Sequence, residues 1–97
     1  MIAVHNTFVC KPGNAGKLAK LFKEWADLRK DRHATVMTDM TGQYHRVIIA
    51  EQYASLAAYE EAERTMGQSA EEKAMMEKFK DMNEMYVSGG REIFKIW

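Results

Sequence analysis

Residues 33–53 read HATVMTDMTGQYHRVIIAEQY, and this stretch decides the fold because the hydrophobic pattern changes here from helical to alternating. β-Branched residues recur in two short arms, from about His33 to Met40 and from about Tyr44 to Gln52, around a Thr41-Gly42 break. Alternation with a period of two, interrupted by glycine, is typical of a β-hairpin. The stretch therefore predicts two adjacent antiparallel strands in the middle of the chain.

A strand and an amphipathic helix are predicted before the hairpin. Met1 to Cys10 is at least half apolar on both of its alternating sides, which favours a strand covered on both faces. Lys11-Pro12-Gly13 ends it, because proline cannot donate to a strand ladder. From Ala15 to about Asp31 apolar residues recur three and four apart, which predicts a helix with Asn14 as its N-cap.

A second helical region and a last strand follow the hairpin. Ser55 is a predicted N-cap for a helix that Gly67 interrupts, and the S-x-x-E sequence beginning at Ser69 predicts a second helix start. Gly89-Gly90 predicts a turn, and Arg91 to Trp97 alternates as a closing strand.

The order β-α-β-β-α-β predicts an α+β, ferredoxin-like sandwich with a four-stranded antiparallel sheet and helices on one face. The 97 residues leave room for one domain, residues 1–97. Neither side of the predicted strands is polar enough to face water, and exposed apolar patches of this kind are usually covered by a partner. We therefore expect a homodimer that pairs the uncovered sheet faces into an α+β barrel.

Composition narrows the range of partners. The chain has 14 basic and 14 acidic residues, so it lacks the positive field that drives nucleic-acid binding. Its longest apolar run, Val47 to Ala50, is far shorter than the roughly 20 residues of a membrane span. Cys10 is the only cysteine, so no disulfide can form within the chain. We expect a cytoplasmic protein that binds neither nucleic acid nor membranes and has no built-in metal or other cofactor.

Two stretches of the sequence, VHNTFVCKPG at 4–13 and VIIAEQYASLAAY at 47–59, resemble the dimeric α+β barrel superfamily. Within it the chain is most similar to NIPSNAP-like and antibiotic-biosynthesis-monooxygenase-like domains, and the resemblance covers nearly the whole chain. It implies a homodimer with a pocket between each sheet and its two helices. Members range from cofactor-independent monooxygenases and haem-degrading enzymes to proteins with no known activity.

Asn6 is the candidate catalytic residue, because it is the one polar residue on an otherwise apolar side of the first strand and a buried amide needs partners. The resemblance to haem-degrading relatives implies the same position, since their asparagine stands seven residues before a glycine, as Asn6 stands before Gly13. The tryptophan and histidine that accompany it in those enzymes are absent from residues 55–88. The alternative is an amide satisfied by neighbouring backbone.

Aromatic and methionine side chains are the candidate pocket wall. Methionine adapts its shape to flat ligands, and five of the eight methionines lie in the second helical region. The candidate substrate-binding residues are Phe8, Trp25, Tyr59, Met75 and Phe79. The alternative is that these side chains simply fill an irregular core.

The remaining polar residues give weaker signals. The three histidines lack ligand spacing, so we predict no metal site. Arg46 and Arg91 lie on predicted strands and could hold an anionic substrate or pair across a dimer with Glu51 or Glu92. Two functions remain open: a cofactor-independent, monooxygenase-like enzyme for a small aromatic or carbonyl substrate, or a non-enzymatic binding or assembly module with a filled core.

Overall fold

The computed structural model describes residues 1–42 and 44–97 and confirms the ferredoxin-like α+β fold. The strands form one antiparallel sheet in the order β2-β3-β1-β4. In chain order the elements are β1 (Ile2–Cys10), α1 (Ala15–Leu28), β2 (Thr35–Thr38), β3 (Arg46–Tyr53), α2 (Leu56–Arg64), α3 (Ala70–Lys78) and β4 (Tyr86–Lys95), with short 3-10 helices at Lys30–Arg32 and Met82–Glu84.

The strand register shows which side of each strand the helices cover. On β1 the covered residues include Val4, which is fully buried, and Asn6, which lies between Ile49 of β3 and Arg91 of β4. Successive side chains point to opposite faces, so the residues between them lie on the other, open face. The open face carries Ala3, His5, Thr7, Val9, Met37, Ile48, Ala50 and Phe94.

The core lies between the sheet and α1. Leu18, Phe22 and Trp25 of α1 are at most 6% exposed and pack with Val47 and Ile49 of β3. Burial of each such side chain contributes about 1.5–3 kcal/mol. This packing sets the distance between α1 and the sheet. That distance in turn sets how much room is left beside Trp25.

The three helices begin where the sequence predicts, directly after Asn14, Ser55 and Ser69. Ser55 Oγ accepts a hydrogen bond from the Ala58 N–H at 3.2 Å, and Ser69 Oγ accepts one from the Glu72 N–H at 3.1 Å, so both predicted caps are confirmed. Asn14 stands at the N-cap position of α1 as predicted, but it has helical backbone angles and its side chain makes no cap hydrogen bond. The first helix also ends at Leu28, three residues before the predicted end.

The predicted turn at Gly89-Gly90 is also wrong. Both glycines lie inside β4, which begins at Tyr86 and pairs with β1 over its whole length. A Cβ atom on Gly89 would stand 2.8 Å from the carbonyl oxygen of Thr7, so this position of the sheet admits only glycine without a shift of the backbone. Glycine here reflects close strand packing, which sequence inspection reads as a turn.

A buried ion pair joins the end of α1 to α3. Arg29, just after α1, binds Glu72 of α3 at 3.1 Å, and both residues are less than 10% exposed. Glu72 also accepts the Gly67 N–H at 3.1 Å, and Arg29 binds Asp31 at 3.0 Å. The contacts tie the break at Gly67, where φ is +78°, to the end of α1.

Candidate functional site

An apolar cavity of about 240 Å³ lies between the covered sheet face and the helices. It is smaller than the roughly 300–1,000 Å³ of pockets for drug-sized ligands, so it suits a small molecule. Its apolar wall is made of aromatic, methionine and isoleucine side chains, and its polar wall of one amide, two arginines and two glutamates. The lining residues are Asn6, Phe8, Phe22, Trp25, Arg32, Ile49, Glu51, Glu63, Met66, Met76, Phe79, Met82 and Arg91.

The structure brings four of the six candidate site residues to this cavity. Asn6, Phe8, Trp25 and Phe79 all line it. The aromatic rings are in mutual contact, with centroids 5.0 Å apart for Phe8 and Phe22 and 5.6 Å apart for Phe22 and Phe79. The aromatic wall is therefore one continuous surface, built from β1, α1 and the end of α3.

Tyr59 and Met75 lie outside the cavity wall. Tyr59 is 8% exposed and packs against Val4 and Tyr53, in a core cluster separate from the one that contains Trp25. Met75 is 3% exposed and belongs to the core beside α1. Both predictions followed helical spacing, which selects buried residues without distinguishing a cavity wall from filled core.

Asn6 is held in one orientation by Arg91. The Arg91 Nε–H donates to Asn6 Oδ1 at 2.8 Å across the β1–β4 pair. This hydrogen bond uses the amide oxygen and leaves the amide nitrogen, a donor only, for another group. Arg91 also lies over the Tyr59 ring, with its guanidinium carbon 5.8 Å from the ring centroid.

Arg32 is the centre of a buried polar cluster on the same wall. It is 1% exposed, and its Nε lies 2.7 Å from both the Tyr53 hydroxyl and a carboxylate oxygen of Glu51. Its Nη2 pairs with Glu63, and the Tyr53 hydroxyl donates to Glu51. The Arg32 guanidinium also stacks on Trp25, 4.9 Å from the ring centroid. Arg32 therefore holds one aromatic wall residue and both acidic residues of the cavity.

The electrostatics of this cluster favour the charged form of Arg32 and the neutral form of Tyr53. Burial opposes the charge on Arg32, but the hydrogen bonds that Arg32 donates to Glu63 and Tyr53 and the charge of Glu51 outweigh it and raise the pKa of Arg32. Burial, followed by the hydrogen bond to Glu51, raises the pKa of Tyr53. Burial likewise raises the pKa of Tyr59. Arg32 is therefore a cation and both phenols are neutral at physiological pH.

The sequence interpretation missed Arg32, Glu51 and Glu63 as cavity residues. A signal was present for Glu51, because it interrupts the apolar stripe formed by Val47, Ile49 and Tyr53 on β3. A carboxylate on a buried stripe requires a cation nearby. The suggested pairing of Glu51 with an arginine across a dimer is wrong, because Glu51 is 2% exposed and is bound to Arg32 of the same chain.

Other candidate chemistry receives little support within the described residues. No group of three or more His, Cys, Asp or Glu side chains there could hold a metal ion. His5 packs edge-on against Phe94 on the open face, while His33 and His45 lie at turns with positive φ. Among residues 1–42 and 44–97, no helix combines the length and the apolar character that crossing a membrane requires.

Comparison with known proteins gives structural similarity only. No protein-family model matches the sequence, and no curated protein matches it. An uncharacterised NIPSNAP domain protein from Burkholderia xenovorans superposes with a TM-score of 0.80 at 9% identity, over 100% of this chain and 95% of the other. A NIPSNAP family protein from Agrobacterium tumefaciens gives 0.77 at 16% identity, over 96% and 82%.

An antibiotic biosynthesis monooxygenase is similar over the whole chain as well, with a TM-score of 0.69 at 11% identity, covering 100% of this chain and 99% of the other. Identities this low show a shared fold and do not transfer an activity. The chain therefore has the ferredoxin-like α+β fold that these NIPSNAP proteins and this antibiotic biosynthesis monooxygenase share.

Proposed function

We propose that this protein is a homodimer that binds one small aromatic or carbonyl compound per subunit and oxygenates it without a bound cofactor. The observation that carries the proposal is the 240 Å³ cavity, which has an aromatic and methionine wall opposite a fixed amide donor. Space of this size supports a ligand-binding role over a binding or assembly module with a filled core. The fold shared with an antibiotic biosynthesis monooxygenase supports the choice of reaction.

Asn6 is the proposed catalytic residue. Because its Oδ1 accepts from Arg91, its Nδ2 is free to donate to a carbonyl or enolate oxygen of the ligand. A positioned donor of this kind stabilises negative charge as it develops, and loss of one such donor costs about 10²–10³ in rate in a well-studied hydrolase. Phe8, Trp25 and Phe79 are proposed to hold the ring of the ligand, with Met75 supporting that wall from the core. Tyr59 is proposed to support Arg91, whose guanidinium lies over its ring.

The proposed reaction needs only the ligand and dioxygen. A phenol loses its O–H proton, and the resulting enolate carbon gives its electrons to dioxygen and forms a C–O bond. Cleavage of the O–O bond leaves one oxygen atom as a new ring carbonyl. The second oxygen leaves as water with the two hydrogens that the substrate has lost. The substrate is the reductant, and the protein excludes water and stabilises the enolate.

A second copy is the proposed partner of the open face. On that face Met37 is 40% exposed and Phe94 is 45% exposed, beside the half-buried Ile48 of β3. Light scattering should therefore report a particle of about twice 11.2 kDa at micromolar concentration. Ile48→Glu should shift it toward the monomer, whereas Leu28→Glu, which places the same charge on the helical side at a 43% exposed position, should leave the dimer intact. A wild-type particle of 11.2 kDa would overturn this assembly.

Ligand-induced thermal stabilisation tests the site. Wild-type protein should be stabilised by at least one member of a panel of quinones, phenols and haem, and a stabilising phenol should consume dioxygen and yield a quinone. Asn6→Ala should reduce both effects. Asn83→Ala, which removes an exposed amide bonded only to the Tyr86 hydroxyl among the described residues, is the matched control. If Asn6→Ala leaves stabilisation unchanged across the panel, the role of Asn6 is wrong.

A further inference from the structure

One of the two arginines at the polar end of the cavity is paired with no carboxylate that the structure describes. Four charged residues line the cavity, namely Arg32, Glu51, Glu63 and Arg91. Arg32 holds both carboxylates, whereas Arg91 forms no ion pair with any residue that the structure describes. An arginine without a carboxylate, beside a cavity, is a ready site for an anionic group of a ligand.

The donors at this end outnumber their acceptors. The single hydrogen bond of the Arg91 side chain uses Nε, so its two terminal nitrogens have no acceptor among residues 1–42 and 44–97. Asn6 Nδ2 is also without one in that part of the chain. Arg32 Nη1 is buried and has no partner there either. Arg91 is exposed, so water can accept from its terminal nitrogens, and a ligand with oxygen acceptors can replace that water.

The Asn6–Arg91 pair stands where two cavities meet. Both residues line the apolar cavity and also a shallower groove of about 340 Å³ along β1 and β4. The groove runs past Gly89 and Gly90, which have no side chains to close it. A molecule whose ring occupies the apolar cavity can therefore place a polar substituent against Arg91 and still keep it close to water.

From these observations we propose that the ligand of this cavity is an aromatic acid, with its ring on the Phe8–Trp25–Phe79 wall and its anionic oxygens on the terminal nitrogens of Arg91, which leaves Asn6 Nδ2 for the carbonyl or enolate oxygen. The inference rests on the proposed ligand-binding function and names the class of compound that the site selects. Glu51 and Glu63 are both bound to Arg32, whose single positive charge offsets one of the two carboxylate charges. The four charged residues together carry no net charge, so the attraction for an anion comes from its direct contact with Arg91. Charge-assisted hydrogen bonds of this kind are each worth more than neutral ones.

Calorimetric titration with 1-naphthoate and 1-naphthamide separates charge from shape, because the two probes share a ring and differ in the anionic group. We expect wild-type protein to bind naphthoate at least tenfold more tightly than naphthamide. Arg91→Gln should remove that preference by weakening naphthoate alone, and Arg91→Lys should retain part of it. Lys95→Gln is the control, since it removes a positive charge from the same face of β4, four residues away.

The outcomes distinguish a failure of the anion site from a failure of the ligand-binding cavity. If naphthamide binds as tightly as naphthoate, or if Lys95→Gln weakens naphthoate as much as Arg91→Gln does, the anion site is refuted and the apolar cavity still binds ligands. If Arg91→Gln weakens both probes equally, Arg91 supports the fold of the site and does not recognise charge, which also refutes it. If neither probe binds the wild-type protein, both the proposed ligand-binding function and the anion site fail.

Discussion

Replacement of Arg32 by methionine should destabilise the protein more than any other single change in the polar wall. Arg32 is 1% exposed and Glu51 is 2% exposed, so methionine would leave the Glu51 carboxylate buried without its cation. Breaking a buried pair in this way costs about 3–5 kcal/mol. Domains of this size have about 5–15 kcal/mol of total stability, so Arg32→Met should remove a large fraction of it.

Urea unfolding followed by circular dichroism measures this loss, and the midpoint should fall by about 2 M for a protein of this size. Arg64→Met is the matched control, because Arg64 and Glu61 form an ion pair that is 66% and 60% exposed. Water screens an exposed pair of this kind, so this variant should unfold close to wild type. The double variant Arg32→Met with Glu51→Leu should recover most of the stability, because no charge is then buried alone.

Two results would contradict the role given to the buried Arg32–Glu51 pair. A loss of less than about 1 kcal/mol in Arg32→Met would mean that Glu51 finds water or another partner and that the cluster is not closed. A double variant no more stable than Arg32→Met would mean that the lost free energy comes from packing against Trp25 and not from the stranded carboxylate.

Three further predictions concern single sites. Gly89→Ala should cost about 1–3 kcal/mol, because its Cβ would meet a backbone carbonyl at 2.8 Å. Gly90→Ala should be nearly neutral, because its Cβ meets nothing within 4 Å, and equal melting temperatures of the two variants would contradict this difference. Arg29 lowers the pKa of Asp31 chiefly by a hydrogen bond, so the pair stabilises the fold above about pH 4 and loses that effect as the pH falls through the lowered pKa. Asp31→Asn should cost under about 1 kcal/mol at pH 7 and progressively less as the pH falls through that pKa, and a loss independent of pH would refute the pairing. Cys10 is 3% exposed and burial raises the pKa of its thiol, so a disulfide reagent should label it only after unfolding, and rapid labelling of the native protein would be inconsistent with that burial.

The element order could be predicted from sequence because local signals agree with the tertiary structure. The alternation in 46–53 matches the buried and exposed pattern of β3. The serine caps Ser55 and Ser69 are confirmed by their hydrogen bonds. Where a local signal and a tertiary contact disagree, the contact determines the structure, as at Gly89, where glycine lies in a strand because the neighbouring strand is too close for a side chain.

The cavity could be predicted only in part. Asn6, Phe8 and Trp25 lie on periodic stripes, so their side of the sheet or helix could be read from spacing alone. Arg32 could not, because it lies in a 3-10 turn without periodicity and its partners are 19 and 31 residues farther along the chain. These long-range ion pairs form only when the sheet packs against the helices, so no local sequence pattern predicts them.

Fluorescence of Trp25 tests the central claim, that the cavity takes up a small aromatic molecule, most directly. Trp25 is 6% exposed on the cavity wall, whereas Trp97 is fully exposed, so Trp97→Phe leaves Trp25 as the sole tryptophan. Titration of this variant with 1,4-naphthoquinone, a quencher, should give saturable quenching that competing 1-naphthol reverses. Quenching that rises linearly without saturation, or that 1-naphthol does not reverse, would contradict a binding site beside Trp25.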